Sequence, residues 1–305
     1  MKRQRRFWQL FLAMLTMISL SAAAAGAKPE GKGGKKAEEP KIDAGMLLAP
    51  LKGALNIEAG TLEARFALDY SFDDYLRIAN SYCVPFSFMQ FYQSDGVLNS
   101  GHIPPKPSIN VFFAQSQGRH SLMYNNSWYY REAADNPSVH YWNAGISGNK
   151  VKGLWLRAGE WHTLAVTWGA TNQGLRMEFF IDGVFCSGTT NPKKESSVLP
   201  PGVNDFLVVG GQNLSAATVQ SYRLSNRVRT RAEIASDKPL ASDDATIFFI
   251  NGEIAEKIRP IQNDKFATMK ADGKLTFKQP VFIGNVTIVN TPKGKAIQFY
   301  KIHSR

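Results

Sequence analysis

Alternation of apolar and polar residues with a period of two is the feature that most constrains the fold of this chain. Every second residue of Thr61–Leu68 is apolar, and the segments His162–Trp168 and Arg176–Ile181 repeat the pattern. The third segment ends at Asp182-Gly183, a dipeptide typical of tight hairpin turns. Because successive side chains of a strand point to opposite faces, such segments bury one face and expose the other. The pattern therefore predicts half-buried antiparallel strands.

Eight further segments have the composition of short strands, and glycine, proline and asparagine are frequent in the connections between them. They are Ser108–Ala114, His120–Tyr124, Lys152–Arg157, Phe206–Val209, Val219–Leu224, Thr246–Ile250, Val281–Val289 and Ala296–Tyr300. Many short strands without long helical periodicity predict an all-β protein of two packed antiparallel sheets. One short helix is expected up to Ala235, because Thr230 and Glu233 have the spacing of a capping box.

The N-terminus has the layout of a secretory signal peptide. The basic segment Met1–Arg6 precedes an apolar run, Phe7–Leu20, and the small residues that follow end in Ala25-Gly26-Ala27, which fits the A-x-A cleavage pattern. We therefore expect residues 1–27 to be removed and the mature protein to be secreted or periplasmic. No second long apolar stretch occurs in the sequence, so no transmembrane anchor is expected in the mature chain.

The segment between the signal peptide and the first strand is predicted to be a linker. Residues 28–41 mix glycine with charge and have no apolar side chain larger than alanine and proline, so they are expected to be disordered. The folded domain is then residues 42–305. Of the formal charge of +11, four units belong to residues 1–27 and two to residues 28–41, which leaves five spread over the domain. A charge spread in this way lacks the basic stripe of a nucleic-acid-binding protein, so nucleic acid is not an expected partner.

The segment Ala158–Gly183 reads A-G-E-W-H-T-L-A-V-T-W-G-A-T-N-Q-G-L-R-M-E-F-F-I-D-G. It resembles the central hairpin of laminin-G-like jelly-roll domains, which belong to the concanavalin A-like lectin/glucanase superfamily. Gly60–Phe66, Leu207–Gly211 and Val219–Ile234 resemble other elements of these domains, in the family's order. The resemblance covers about Gly60–Ala235 and implies a two-sheet antiparallel jelly-roll sandwich, a scaffold that hosts many functions.

Two regions depart from the family pattern. Gln220 and Ser221 stand where the family commonly has an acidic pair, which puts in doubt any metal or ligand role that those carboxylates would have. Residues 242–305 contain the pieces A-T-I-F-F-I-N-G and G-K-A-I-Q-F, which look like the start of such a domain. We interpret them as a C-terminal extension that completes the same sandwich, and the alternative is the remnant of a second repeat. The first interpretation is favoured because half a sandwich would leave its apolar faces bare.

The resemblance raises the question of catalysis, because the superfamily includes enzymes that cleave β-glucans. Retaining glycosidases need two carboxylates about 5–5.5 Å apart, and laminarinase-type members place theirs in an E-x-D-x-x-E strand that this chain lacks. The nearest pair is Glu178 and Asp182, which we interpret as an outward strand residue and a turn residue. No G-x-S-x-G nucleophile elbow is present. We therefore expect a non-catalytic protein, with a divergent glycoside hydrolase as one alternative.

Aromatic residues beside amides precede the central hairpin, in the segments Asn125–Tyr130 and Val139–Asn143. Sugars have flat apolar faces edged with hydroxyls, so a sugar site needs an aromatic platform with polar groups nearby. The residues that fit this description, interpreted as loop residues at one edge of the sandwich, are Trp128, Tyr130, Trp142, Asn126 and Asn143. They predict a carbohydrate-binding module. The alternatives are aromatics that cover the sheet, and an adhesion or architectural domain that contacts an extracellular or cell-surface protein.

The remaining tryptophans near the hairpin, Trp155, Trp161 and Trp168, lie on or beside predicted core strands and are interpreted as packing residues.

A calcium ion and a disulfide bond are two further features that the sequence leaves open. Asp69, Asp73 and Asp74 form an acidic cluster near a predicted loop, without the spacing of a dedicated calcium loop. They either bind Ca²⁺ with ligands from other loops or form a solvated strand end. Cys83 and Cys186, the two cysteines of the chain, either form a disulfide in an oxidising compartment or remain separate buried thiols.

Overall fold

A computed structural model describes the chain from residue 45 to residue 299 with gaps. The described residues are 45–56, 58–71, 86–92, 109–116, 119–130, 138–147, 156–191, 205–211, 216–236, 238–261 and 278–299. For residues 92, 114–116, 119–130, 138–147 and 191 the backbone alone is described. All of these residues lie within one compact unit, Ile42–Arg305.

Sixteen strands and two short helices make up the described part of the chain. The strands are β1 (Met46–Pro50), β2 (Ala59–Leu68), β3 (Ser87–Tyr92), β4 (Ile109–Ser116), β5 (Arg119–Tyr130), β6 (Ser138–Ser147), β7 (Trp161–Thr171), β8 (Gly174–Ile181), β9 (Val184–Asn191), β10 (Phe206–Gly210), β11 (Ala217–Ser225), β12 (Thr246–Asn251), β13 (Pro260–Ile261), β14 (Val281–Ile283), β15 (Val286–Thr291) and β16 (Gly294–Phe299). The helices are α1 (Arg231–Ile234) and α2 (Gly252–Ala255).

The strands form two sheets that pack face to face. The first sheet has the order β13-β14-β1-β10-β3-β4-β5-β6, and the second has the order β15-β16-β11-β2-β7-β8-β9, with β12 also paired to β11. The described strand pairs are antiparallel except β13 with β14. The predicted all-β sandwich of two antiparallel sheets is therefore confirmed. The C-terminal strands β12, β14 and β16 pair with β11 and β1, so the region 242–305 contributes strands to both sheets.

The core lies between the two sheets and is built from the apolar positions of the alternating strands. Phe66 of β2 meets Phe88 of β3 across the gap, with ring centroids 4.8 Å apart, and Phe88 contacts Phe113 of β4 at 5.2 Å. At another place in the core, Phe86 contacts Phe299 of β16 at 5.3 Å. All five rings are buried. Full burial of one such ring stabilises the fold by about 1.5–3 kcal/mol, so this contact between the sheets is a major source of stability.

Trp168 shows how one glycine shapes the core. The register of β2 and β7 sets Gly60 opposite Trp168, and a Cβ atom at Gly60 would lie 2.1 Å from the indole ring. The missing side chain leaves room for the ring, which is fully buried and donates a hydrogen bond from Nε1 to the carbonyl oxygen of Asn56 at 3.2 Å. The interpretation of Trp168 as a packing residue is confirmed.

Five described strands, β1, β3, β6, β9 and β13, were not predicted, and three further differences concern local signals. The predicted strand Val281–Val289 is divided into β14 and β15, because Gly284 adopts a φ of 74° that interrupts the extended backbone. A second helix, α2, follows Asn251, whose side chain accepts the amide of Ile254. Short local signals of this kind are easily overlooked beside a strand pattern. The predicted strand Lys152–Arg157 lies mostly outside the described residues, and its last two residues are not in a strand.

Helix α1 forms at the predicted place. Thr230 accepts the backbone amide of Glu233, and the Glu233 carboxylate accepts the backbone amide of Thr230, so both halves of the capping box are present. Ile234 packs against Ala165 of β7 and Phe180 of β8. These contacts fix the helix on the outer face of the second sheet, the face that points away from the core.

Candidate functional site

The outer face of the second sheet is polar, and its register sets the functional candidates in rows. Trp161 of β7, Ala67 of β2, Thr218 of β11 and Gln298 of β16 are directly paired across four neighbouring strands. A second row, two residues along β2, contains Thr163, Arg65 and Ser221. A third row contains Ala165, Glu63 and Arg223. Because strand residues alternate between faces, all three rows share the outer face.

Glu63 and Arg223 of the third row belong to a group of ion pairs, the ion-pair layer, formed with Arg229 and Asp243. The Glu63 carboxylate accepts two hydrogen bonds from Arg223, at 2.7 and 2.8 Å, and lies 3.0 Å from Nε of Arg229. Nη2 of Arg229 in turn lies 2.8 Å from Asp243. The side chains of Glu63 and Arg229 are each 3% exposed. These short contacts, two of them from one guanidinium, satisfy the buried charges of Glu63 and Arg229, so the layer is a structural element.

The first row opens into a cleft of about 490 Å³, which we call the Asp69 cleft. Ala67 and Thr218 are small and form its floor, and Trp161, Tyr70 and Gln298 are among the larger residues that line it. Trp161 and Tyr70 are half-buried, so each keeps part of its ring accessible to a ligand. The cleft is lined by aromatic, amide and hydroxyl groups together with one carboxylate, that of Asp69. An apolar face with polar groups beside it is the arrangement expected of a sugar site.

Asp69 lies just beyond the end of β2, where its backbone amide donates to the carbonyl oxygen of Ala216 at 3.3 Å. Its carboxylate accepts a hydrogen bond from the Thr218 hydroxyl at 3.1 Å and another from the side chain of Gln298. Burial raises the pKa of Asp69 to about 6, although these two hydrogen bonds work in the opposite direction. A carboxylate that is desolvated at neutral pH in a cleft is a strong acceptor for hydroxyl donors of a ligand.

The second row lies in a larger cleft of about 840 Å³, the Arg65 cleft, which adjoins the Asp69 cleft along β2, β7 and β11. Its floor includes Thr163, Arg65 and Ser221. One wall comes from the segment after α1, including Lys238, and another from the turn between β15 and β16, including Lys293. The two clefts together make the candidate functional site.

Glu178 and Asp182, the carboxylate pair weighed above as a catalytic candidate, have separate partners. Glu178 accepts hydrogen bonds from Arg176 at 2.9 Å and Arg231 at 2.8 Å. Asp182 lies 2.8 Å from Nδ1 of His162 and accepts the backbone amide of Thr163 at 2.8 Å. Burial works to raise the pKa of Asp182, but these hydrogen bonds hold it below its ordinary value. With a φ of 51°, Asp182 occupies the turn between β8 and β9, as its sequence position predicts.

The predicted aromatic platform lies in strands instead of loops. Asn126, Trp128 and Tyr130 belong to β5, and Trp142 and Asn143 belong to β6. These two strands form a long hairpin, since aromatic residues favour strands even where asparagines suggest a loop. The register pairs Asn126 with Trp142 and with Ile109 of β4, whereas Asn143 is paired with Asn125.

The role of all five residues in carbohydrate binding stays a prediction.

Asp69 is the member of the predicted acidic cluster that the structure describes, and Asp73 and Asp74 lie outside the described residues. Within the described ranges no group of three or more His, Cys, Asp or Glu side chains could hold a metal ion. Calcium binding therefore stays a prediction. Cys186 has a free thiol that donates to the carbonyl oxygen of Val184 at 3.3 Å. Its suggested partner, Cys83, lies outside the described residues, as does Trp155.

Four residues that give the Asp69 cleft its chemistry were not predicted as site residues, namely Trp161, Tyr70, Thr218 and Gln298. Trp161 was interpreted as a packing residue, but it is half-buried and lines the cleft. Trp161 lies an odd number of positions from the core residues Leu164, Val166 and Trp168. Because strand residues alternate between faces, this spacing places Trp161 on the outer face. Gln298 gives no comparable signal, because its place beside Thr218 depends on the pairing of β16 with β11.

Comparison with known protein families finds one match. A laminin-G family model of the concanavalin A-like lectin/glucanases superfamily matches residues 104–235. This match confirms the resemblance inferred from the central hairpin. No curated protein sequence matches the chain. Neither of the described helices is long and apolar enough to cross a membrane.

Several solved structures are similar in fold at low sequence identity. A heptameric SAP-like pentraxin from Limulus polyphemus is 10% identical, with 65% of this chain and 76% of that chain covered and a TM-score of 0.38. The CBM40 of a Ruminococcus gnavus IT-sialidase, bound to α2,3 sialyllactose, is 10% identical, with coverages of 64% and 92% and a TM-score of 0.35. An endo-1,3-β-glucanase from Streptomyces sioyaensis is 13% identical, with coverages of 56% and 55% and a TM-score of 0.30. Likenesses at this level assign no residue role to this chain.

Proposed function

We propose that this chain, whose residues 104–235 match the concanavalin A-like lectin/glucanase superfamily, is an exported, non-catalytic carbohydrate-binding protein. Export rests on residues 1–27, which have the layout of a signal peptide and would direct the protein to a secreted or periplasmic location. A non-catalytic role is favoured because Glu178 and Asp182, the nearest candidate for a catalytic carboxylate pair, are each held by other side chains. Glycoside hydrolysis instead needs a pair of free carboxylates that face one ligand.

The observation that supports carbohydrate binding is the composition of the Asp69 cleft. Trp161 and Tyr70 offer accessible aromatic surface on which the apolar face of a sugar can stack. Asp69 and Gln298 offer acceptors and donors for the hydroxyls at the edge of the ring. A charged carboxylate accepts stronger hydrogen bonds than a neutral group, and two neighbouring hydroxyls of one sugar can bind both of its oxygens. The cleft thus combines the groups that a sugar requires within one small volume.

A glycan-array screen of the purified protein tests this function, run once with calcium and once with a chelator. We expect selective binding to a limited set of glycans, and Trp161→Ala is expected to reduce it at least about tenfold, because stacking on an aromatic ring is lost. Trp128→Ala in the same screen tests whether the hairpin of β5 and β6 contributes to glycan binding. The chelator arm decides whether Ca²⁺ takes part.

A matched control for the tryptophan variant is Phe185→Ala. Phe185 is a 40% exposed aromatic residue on β9, outside both clefts, where it packs against Phe180 and under the guanidinium of Arg231. Its replacement should leave glycan binding unchanged. A blank array in both arms contradicts the proposal and favours an adhesion or architectural role that relies on contacts with another protein.

A further inference from the structure

Arg65 lies on the floor of the larger cleft. Its side chain is half-buried, and within the described residues it makes no hydrogen bond and no ion pair. It attracts the carboxylate of Asp182 from a distance, but that carboxylate is already bonded to His162 and Thr163. A guanidinium has five N–H donors, and those of Arg65 are not committed to acceptors among the described residues. They are therefore available to a ligand that enters the cleft.

The uncommitted charges around Arg65 favour an anion, because every carboxylate that lines the cleft already has a basic partner. These carboxylates are Glu63, Asp182, Glu233, Asp243 and Glu253. Thr163 and Ser221, its direct neighbours on β7 and β11, have hydroxyls that can donate to a bound oxygen. Lys238 and Lys293 on the cleft walls are exposed and have no ion pair within the described segments. By contrast, the other cations of the cleft are engaged, since Arg223 and Arg229 bind Glu63 and Lys295 lies 2.7 Å from Glu256.

We propose that Arg65 binds the anionic group, a carboxylate or a sulfate, of an acidic saccharide whose neutral part occupies the Asp69 cleft. This inference rests on the proposed carbohydrate-binding function and adds the class of saccharide. A guanidinium matches the two oxygens of a carboxylate or sulfate with two parallel hydrogen bonds, a geometry that a lysine cannot offer.

The positions of the two clefts allow one ligand to reach both. Arg65 and Ala67 are two residues apart on β2, which is about 7 Å, the scale of a single sugar ring. The neighbouring strands contribute to both clefts in the same way, with Thr163 and Trp161 on β7. Asp69 is four residues from Arg65, about 13 Å along the strand, so its carboxylate would not repel an anionic group bound at Arg65.

The test is an array that contains neutral, uronate-bearing and sulfate-bearing oligosaccharides, followed by titration calorimetry with the best acidic glycan and its closest neutral counterpart. We expect the wild-type protein to prefer the acidic glycan. Arg65→Gln should weaken its binding at least about tenfold and bring it to the level of the neutral one, because charge-assisted hydrogen bonds are lost. Arg65→Lys should retain part of the preference, and added salt should reduce it.

Arg176→Gln is the control, because it removes one positive charge from β8 on the same outer face, at a residue outside both clefts. It should leave the preference for acidic glycans intact. The uronate and sulfate arms decide which anion is the natural one.

Three results would overturn the inference. The first is equal binding of acidic and neutral glycans, and the second is an unchanged preference in Arg65→Gln. In both cases the proposed function stands, because the protein still binds glycans and Trp161→Ala still weakens that binding. The third is the absence of any glycan binding, which overturns the proposed function as well.

Discussion

Glu63 and Arg65 lie two residues apart on β2 and on the same outer face of the second sheet, yet their surroundings are opposite. Glu63 is 3% exposed at its side chain and is bound by two arginines. Arg65 is half-buried in an open cleft and makes no ion pair within the described residues. Both residues line the Arg65 cleft, and they differ in their partners, because two guanidinium groups hold Glu63 and no described group is bonded to Arg65. The comparison separates charges that hold the fold together from charges that are available to a ligand.

The same contrast applies to the carboxylates of the two regions. Glu63 accepts short hydrogen bonds from Arg223, whereas Asp69 has hydroxyl and amide donors but no cation beside it among the described residues. Burial consequently raises the pKa of Asp69 to about 6. A group that is costly to keep ionised in the folded protein is often part of a binding site, because function and stability can conflict there.

The largest effect on stability is expected from Glu63→Gln. This change leaves the buried guanidinium groups of Arg223 and Arg229 without their counter-charge, which we expect to reduce the free energy of unfolding by about 3–5 kcal/mol. Urea denaturation measures it. Glu178→Gln is the matched control, because the arginines that bind Glu178 are 44% and 58% exposed, and its cost should be about 1 kcal/mol or less. Equal costs for the two variants would show that the ion-pair layer is not structural.

Asp69→Asn is expected to increase the free energy of unfolding, whereas Glu63→Gln decreases it. The folded pKa of about 6 lies above the ordinary value of 3.8, so the folded state binds the proton more tightly than the unfolded state. The carboxyl group therefore lowers stability as pH rises from about 4 to about 6, and the penalty is complete above that range. At pH 7 the variant should be about 2 kcal/mol more stable than the wild type, a figure that allows for partial exposure of Asp69.

Urea denaturation at pH 4 and at pH 7 checks this prediction, because the gain should be present at pH 7 and nearly absent at pH 4. Asp244→Asn serves as the control, since Asp244 is exposed and lies outside the clefts. A gain of the same size at both pH values would contradict the assignment to Asp69.

The smallest effect on stability is expected at the cap of helix α1. Thr230→Ala removes the acceptor for the Glu233 amide and should cost about 1 kcal/mol, whereas Thr230→Ser keeps the acceptor and should cost much less. Thermal or urea denaturation measures both. Helix α1 lines the Arg65 cleft but not the Asp69 cleft, so binding of a neutral glycan by the alanine variant should not change. A loss of that binding would show that the neutral-sugar site depends on the helix.

Much of the fold follows from the sequence because it depends on local patterns. The alternation in Thr61–Leu68, His162–Trp168 and Arg176–Ile181 identifies β2, β7 and β8, and the capping box identifies α1. The prediction was incomplete where a single backbone angle decides, as at Gly284 between β14 and β15. It also missed most of the long hairpin of β5 and β6, because asparagines near the aromatic residues suggested a loop.

The candidate site was less accessible to sequence reasoning. The Asp69 cleft gathers Asp69, Trp161, Thr218 and Gln298 from four separate strands or strand ends, and no local pattern encodes that neighbourhood. Alternation places Glu63 and Arg65 on the outer face alike. It does not tell which of them will acquire ion-pair partners, because that depends on tertiary packing.

The most direct test of the account is the affinity of Asp69→Asn for the best glycan of the array, measured by calorimetry at pH 7 beside its free energy of unfolding. We predict that this variant is more stable than the wild type and binds the glycan at least about tenfold more weakly, because the carboxylate that destabilises the fold is the one that accepts the sugar hydroxyls. Unchanged affinity in a well-folded variant would contradict the assignment of the Asp69 cleft as the binding site.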